Sequence, residues 1–170
     1  MKDLYLIDGY NVIFSAPEIF PGGISDLENC RVRLIDLLQD FGAHNAVEII
    51  VVFDGKSNSV KAVEKRISRF FRIVFTPARM TADSYIERES YKRREEYRSI
   101  YVVTSDGSEQ NQALGNGAYR IPAHEMLKTL AEDKKEQHAF ISRHRQTQKR
   151  NELGGTLTGD ARKRLEELRK

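Results

Sequence analysis

Asp8, Asp54 and Asp106 each close an apolar run and are each followed by glycine, while Asp83 opens the helical stretch that follows another such run. Glu87 comes one helical turn after Asp83 on the same face. Carboxylates that converge repel one another unless a cation sits among them or some are protonated. Oxygen donors with no neighbouring His/Cys set point to Mg²⁺ or Mn²⁺ and away from zinc. A hard cation held by acids, with phosphate as its remaining ligand, is the arrangement for in-line phosphodiester hydrolysis. Each acid also has a plain structural reading. Asp-Gly after a strand is a turn signal, and Asp at a helix start is a cap. Recurrence of the acid at the same position after successive strands is what turn chemistry leaves unexplained. Asn11 has an amide suited to orienting Asp8 or a bound water, and is equally a loop former. Thr104 and Ser105 offer hydroxyls to a phosphate or to Asp106, or simply cap the strand end.

The elements that must carry these residues are legible from period and punctuation. Leu4–Ile7, Glu48–Phe53, Phe70–Phe75 and Ile100–Thr104 are short apolar runs of the kind that fill a sheet buried on both faces. A Pro/Gly-rich loop is expected after Asp8-Gly9. Ser25 and Glu28 have capping-box spacing and begin a helix with apolar residues at Leu27, Cys30, Leu34, Leu37, Leu38 and Phe41, which Gly42 should stop. Thr81 is placed to cap a long charged helix through Arg98, and a short helix is expected over Gly107–Leu114. Tyr119–Ile121 reads as a small edge strand. From Pro122 a helix should run to about Arg150, and Gly154-Gly155 should separate it from a last polar helix near Asp160–Lys170. Strands alternating with helices predict an α/β fold with a mostly parallel central sheet flanked by helices and a helical C-terminal extension. In such sheets ligands bind outside the carboxyl ends of the strands, where all these acids map.

Composition sets the bounds. A chain of 170 residues with 39% hydrophobic content supplies one core of moderate size. A single cysteine excludes an internal disulfide framework and a cysteine-cluster zinc site, and Cys30 falls on the apolar face of its helix. No apolar run approaches the ~20 residues of a membrane span, and reducing cytoplasm is the expected compartment. The net charge of +3 conceals a pattern. Residues 1–55 carry −6, 56–98 carry +6, 99–123 carry −1 and 124–170 carry +4. Such alternation is either a solvated surface or a carboxylate-lined site flanked by phosphate-binding surfaces.

Asp8-Gly9-Tyr10-Asn11 after the first strand resembles the signature of NYN domains, a branch of the PIN-like nuclease fold. Phe53-Asp54-Gly55, Thr81-Ala82-Asp83 with Ile86-Glu87, and Thr104-Ser105-Asp106 follow in that family's order. The likeness is greatest to the YacP-like group, bacterial ribosome-associated endoribonucleases, and spans about residues 3–150. It implies a PIN-like nuclease domain over 1–150, with 151–170 as a basic helical tail outside the likeness. It also implies Mg²⁺-dependent cleavage of single-stranded RNA, with mRNA on the ribosome as substrate and a metal-activated water as nucleophile. Asp8, Asp83 and Asp106 are then the implied metal ligands and catalytic acids, with Asn11 and Asp54 in support, while Glu87 reads equally as a helix-surface residue.

RNA affinity needs cations for the phosphates and aromatic faces for the bases. Lys56, Lys61, Lys65, Arg66 and Arg69 leave the second strand beside Asp54 and are poor in intervening acids, so they are the expected phosphate-binding group, with Ser105 at the site itself. Lys92, Arg93, Arg94 and Arg98, interleaved with Tyr85, Tyr91 and Tyr97, form a second cluster that is as readily a solvated helix face. Arg143, His144, Arg145, Lys149 and Arg150 form a third, suited to ribosomal RNA. His44, His124, His138 and His144 are scattered without ligand spacing, and no Walker-type lysine motif exists. Two other classes fit strand-end acids less well. A phosphoryl-transfer or receiver domain wants a second Asp two residues after the first, or a strand-end Lys, and has neither here. A catalytically silent RNA- or ribosome-binding module would keep the acids as turn formers only.

Overall fold

The computed structural model describes residues 1–55, 61–104 and 117–154, the last ten of them by backbone alone. Six strands form one sheet: β1 (Asp3–Asp8), β2 (Glu48–Phe53), β3 (Val63–Arg66), β4 (Phe71–Phe75), β5 (Ser99–Thr104) and β6 (Tyr119–Pro122), in the order β3-β4-β2-β1-β5-β6. Every neighbouring pair is parallel except β3–β4. The four apolar runs are the four central strands, and their side chains alternate between two cores. On one face Ile7, Ile49, Val51, Phe53 and Val103 pack with α1 (Gly9–Ser15), α2 (Leu27–Asn45) and the first turns of α4 (Ala123–Gly154). On the other, Leu4, Leu6, Ile50, Val52 and Val102 pack beneath Ala82, Tyr85 and Ile86 of α3 (Ala82–Arg93).

The chain divides into two compact units, Met1–Ala131 and Glu132–Lys170. The first holds the sheet and its helices. The described part of the second is the continuation of α4 to Gly154, with Phe140 exposed and its ring 4.4 Å from that of His144. No helix among the described residues is long and apolar enough to cross a membrane.

Local details depart from the sequence reading, each for a physical reason. Helix α1 replaces the first part of the expected loop, because Asp8 caps it and Val12 and Ile13 supply a buried face. The Ser25 capping box does not form. Gly23–Asp26 is a 3₁₀ turn in which the Ser25 hydroxyl donates to the Gly22 carbonyl at 2.6 Å, and α2 begins at Leu27. Gly42 does not stop α2. The helix ends at Asn45 through a left-handed Ala46 (φ 53°) whose N–H returns to the Gly42 carbonyl. The basic segment after β2 contains an extra strand, β3, which is antiparallel and exposed along its whole length. Helix α3 ends at Arg93, short of the expected Arg98. The helix expected over 107–114 lies outside the described residues, as does that near 160–170.

Candidate active site at the carboxyl edge of the sheet

Strands β1 and β2 run in parallel and deliver Asp8 and Asp54 to the same edge. Both aspartates precede a glycine that leaves no room for a Cβ. At Gly9 a methyl would enter the Phe53 ring, and at Gly55 it would enter the Thr76 carbonyl. The Asp-Gly pairs therefore mark close packing where the chain leaves the sheet, and neither glycine has a positive φ. Gly55 N–H donates to the Thr76 hydroxyl at 3.0 Å, and Thr76 N–H to the Phe53 carbonyl at 3.0 Å, locking the ends of β2 and β4 together.

Asp8 is almost fully buried, with 7% of its surface exposed. One carboxylate oxygen accepts the Asn11 backbone N–H at 3.1 Å and the other accepts the Asn11 amide at 2.9 Å. The same amide reaches the Thr104 hydroxyl oxygen at 3.3 Å, so Asn11 joins the end of β1 to the end of β5. Burial pushes the Asp8 carboxyl above its ordinary value, and the negative charges of Asp54 and Asp83 push it the same way against the Asn11 hydrogen bonds. Asp83 is exposed in the first turn of α3, with Glu87 exposed one turn on. Asp54 has a different task. Its carboxylate accepts the Ala82 N–H at 2.7 Å while the Thr81 hydroxyl accepts that of Ser84 at 3.2 Å, so two side chains cap α3.

The YacP-like NYN domain family matches residues 5–170. The chain belongs to that family. It is 33% identical over 129 residues to the uncharacterized protein YacP of Bacillus subtilis (strain 168), covering 75% of each sequence. The crystal structure of Rae1 (YacP) from Bacillus subtilis superposes with a TM-score of 0.71 at 26% identity, over 99% of this chain and 95% of that one. The crystal structure of a tryptophan-to-leucine mutant of the same protein gives 0.69 at 27% identity, over 86% and 85%. The YacP-like NYN chain thus has the PIN-like α/β architecture and falls in a nuclease-type family.

Among the described residues, no three His, Cys, Asp or Glu side chains stand together as a metal-binding group. Asp106, the third ligand the resemblance implies, lies outside the described residues, as do Ser105 and Lys56. What is described fits a hard divalent ion. Asp8 and Asp83 are oxygen donors, and Asp8 carries an electrostatic load that a cation would relieve.

The basic segment divides in space. Val63 lies opposite Phe75 and Arg66 opposite Arg72, so β3 runs from the carboxyl edge to the amino edge. Lys61 precedes β3 at the acid edge, whereas Arg66 and Arg69 lie about 15 Å away at the other end. Arg66 bonds the Ser68 and Arg69 carbonyls of its own hairpin, and Arg69 stands over the Phe70 ring. In the second cluster Arg93 pairs with Glu89 at 2.8 Å, Arg98 pairs with Asp3, and Arg94 lies over Tyr91. Tyr85 is a core residue and is not available for stacking, while Tyr91 is exposed. Of the third cluster Arg143 and His144 are exposed, and the side chains of Arg145, Lys149 and Arg150 lie outside the described residues.

This edge also carries an aromatic pair that residue type alone does not mark. Tyr10 and Phe14 lie one turn apart on α1, with rings nearly parallel at 17° and centroids 6.0 Å apart, and Arg31 of α2 reaches the Tyr10 hydroxyl at 3.0 Å. The i,i+4 aromatic pair was visible in the sequence, but only with α1 assigned does that spacing put both rings on one face.

Proposed function

We propose that this protein is a metal-dependent endoribonuclease acting on single-stranded RNA, with mRNA at the ribosome as its substrate in the cytoplasm. The observation that carries the reading is Asp8. It is a buried carboxylate at the end of a central strand, held at both oxygens by Asn11 and loaded by the charges of Asp54 and Asp83. Membership of a nuclease-type family supports the same chemistry. Asp8 and Asp83, with Asp106, would hold Mg²⁺ or Mn²⁺. Such an ion supplies an activated water and charge stabilisation on the scissile phosphate. Asn11 fixes the Asp8 carboxylate in one orientation. Asp54 keeps the N-terminus of α3 in place and with it Asp83. Lys61 faces the phosphates flanking the scissile bond. No protein nucleophile is required.

One observation favours the silent RNA-binding module. Asp8 and Asp54 both act as helix caps, which explains two of the acids without chemistry. Purified protein incubated with single-stranded RNA, and separately with translating ribosomes, separates the readings. Wild type should cut with Mg²⁺ and not with EDTA, and Asp8→Asn and Asp106→Asn should each lose cutting while remaining folded. Cutting that persists in EDTA or in both variants would overturn the nuclease reading. Tight, salt-sensitive binding without cutting would select the silent module.

A further inference from the structure

The geometry points to Phe14, seated on Tyr10, as a stacking platform for an unpaired base of the RNA strand whose phosphate lies at Asp8. This rests on the nuclease reading for the position of the phosphate, but its chemistry is that of binding alone. A single exposed aromatic ring is ordinary on a protein surface. Phe14 differs in being held. It is 48% exposed, yet its ring lies within 17° of parallel to that of Tyr10. Tyr10 in turn is fixed by an edge contact to the buried Phe53 ring at 5.0 Å and by the guanidinium of Arg31 at its hydroxyl. A flat apolar face is therefore presented in one orientation, next to a tyrosine whose hydroxyl holds a cation.

Position decides the ligand. Helix α1 starts at Gly9, directly after Asp8, and a rise of 1.5 Å and about 100° per residue set the Phe14 backbone about 9 Å along the axis from that of Asp8 and roughly 120° round it. A strand with its backbone at the acid edge can lay a neighbouring base on this ring, and Arg31 suits the adjoining phosphate. Base stacking on an aromatic face is sequence-tolerant, because every base has a π-face. Such a platform would favour single strands without a base-reading motif, since paired bases are already stacked.

The test uses the full chain and a fluorescent single-stranded RNA oligonucleotide with a cleavage-resistant backbone, with binding measured by anisotropy in Mg²⁺ so that the cation stays in place and cutting does not contribute. Phe14→Ala and Phe14→Leu should each weaken binding roughly tenfold, within the range for loss of one base–aromatic stack, and Phe14→Trp should retain it. An oligonucleotide lacking bases should bind wild type and Phe14→Leu equally. Quenching of a 2-aminopurine base on binding should diminish in Phe14→Leu, which keeps apolar bulk but not the flat face. If Phe14→Leu binds RNA as wild type does, the platform is overturned even when Asp8→Asn abolishes cutting. If no RNA is cut but the Phe14 dependence persists, the nuclease reading falls and the platform stands. Absence of any RNA binding overturns it, as does a Phe14→Leu effect confined to self-association in sedimentation.

Discussion

At the scale of single residues, Asp8 makes the fold and the chemistry pull in opposite directions. Its folded-state carboxyl is raised, first by burial, so folded protein binds more protons than unfolded chain in the window above the ordinary value of 3.8. Stability therefore falls as pH rises through that window and stays reduced at neutrality. Asp8→Asn keeps an oxygen for the α1 cap and removes the charge. In EDTA its urea midpoint should match or fall below wild type near pH 3 and exceed it at pH 7, while Mg²⁺ should raise the midpoint of wild type only. Asn11→Ala should behave differently. It frees one Asp8 oxygen and the link to Thr104, for a loss of about 1 kcal/mol in stability and roughly 10–100-fold in cutting, as when a group orienting a metal ligand is removed. Circular-dichroism melts and a single-turnover cleavage assay check the two parts.

At the scale of elements, the site depends on how strand ends become helix starts. Helix α3 is capped by Asp54 and Thr81 together. Asp54→Ala should cost about 1 kcal/mol by loss of a cap, whereas Asp54→Asn, which retains an acceptor, should hold both stability and cutting close to wild type. Equal loss of cutting in both variants, at unchanged stability for Asp54→Asn, would give Asp54 a direct part in the reaction. Gly55 lies where the backbones leaving β2 and β4 touch. Gly55→Ala drives a methyl against a backbone carbonyl that cannot swing aside, and overpacking of this kind costs roughly 1–3 kcal/mol. Urea titration would register it as a lowered midpoint, and the displaced Asp54 should weaken cutting as well.

At the scale of the whole molecule, near-neutrality is the sum of stretches of opposite charge, and the cations that follow β2 are divided between the two ends of the sheet. The register of β3 against β4 separates Lys61 from Arg66 and Arg69. If the acid edge is where RNA lies, Lys61→Ala should reduce the slope of log affinity against log salt by roughly 0.7, the share of one phosphate contact on a single strand. Arg69→Ala should leave that slope unchanged, and equal effects would show RNA reaching both ends. The α/β class, the four central strands and the arrival of Asp8 and Asp54 at one edge were all legible in the linear sequence. Apolar runs buried on both faces, alternating with helical periods, admit little else. Helix α1, the hairpin strand β3 and the left-handed end of α2 were not, because packing against Phe53, pairing with β4 and the turn into β2 override weak local signals. The sequence by itself determined which residues carry charge and which strands bring the acids together, since both follow from residue type and period. Only the tertiary structure decided that Asp54 caps a helix, that Asn11 ties Asp8 to Thr104, that the basic segment spans the sheet and that Phe14 lies flat on Tyr10. Those facts depend on distances between residues far apart in the chain or on the direction a side chain takes, and neither is written in local pattern.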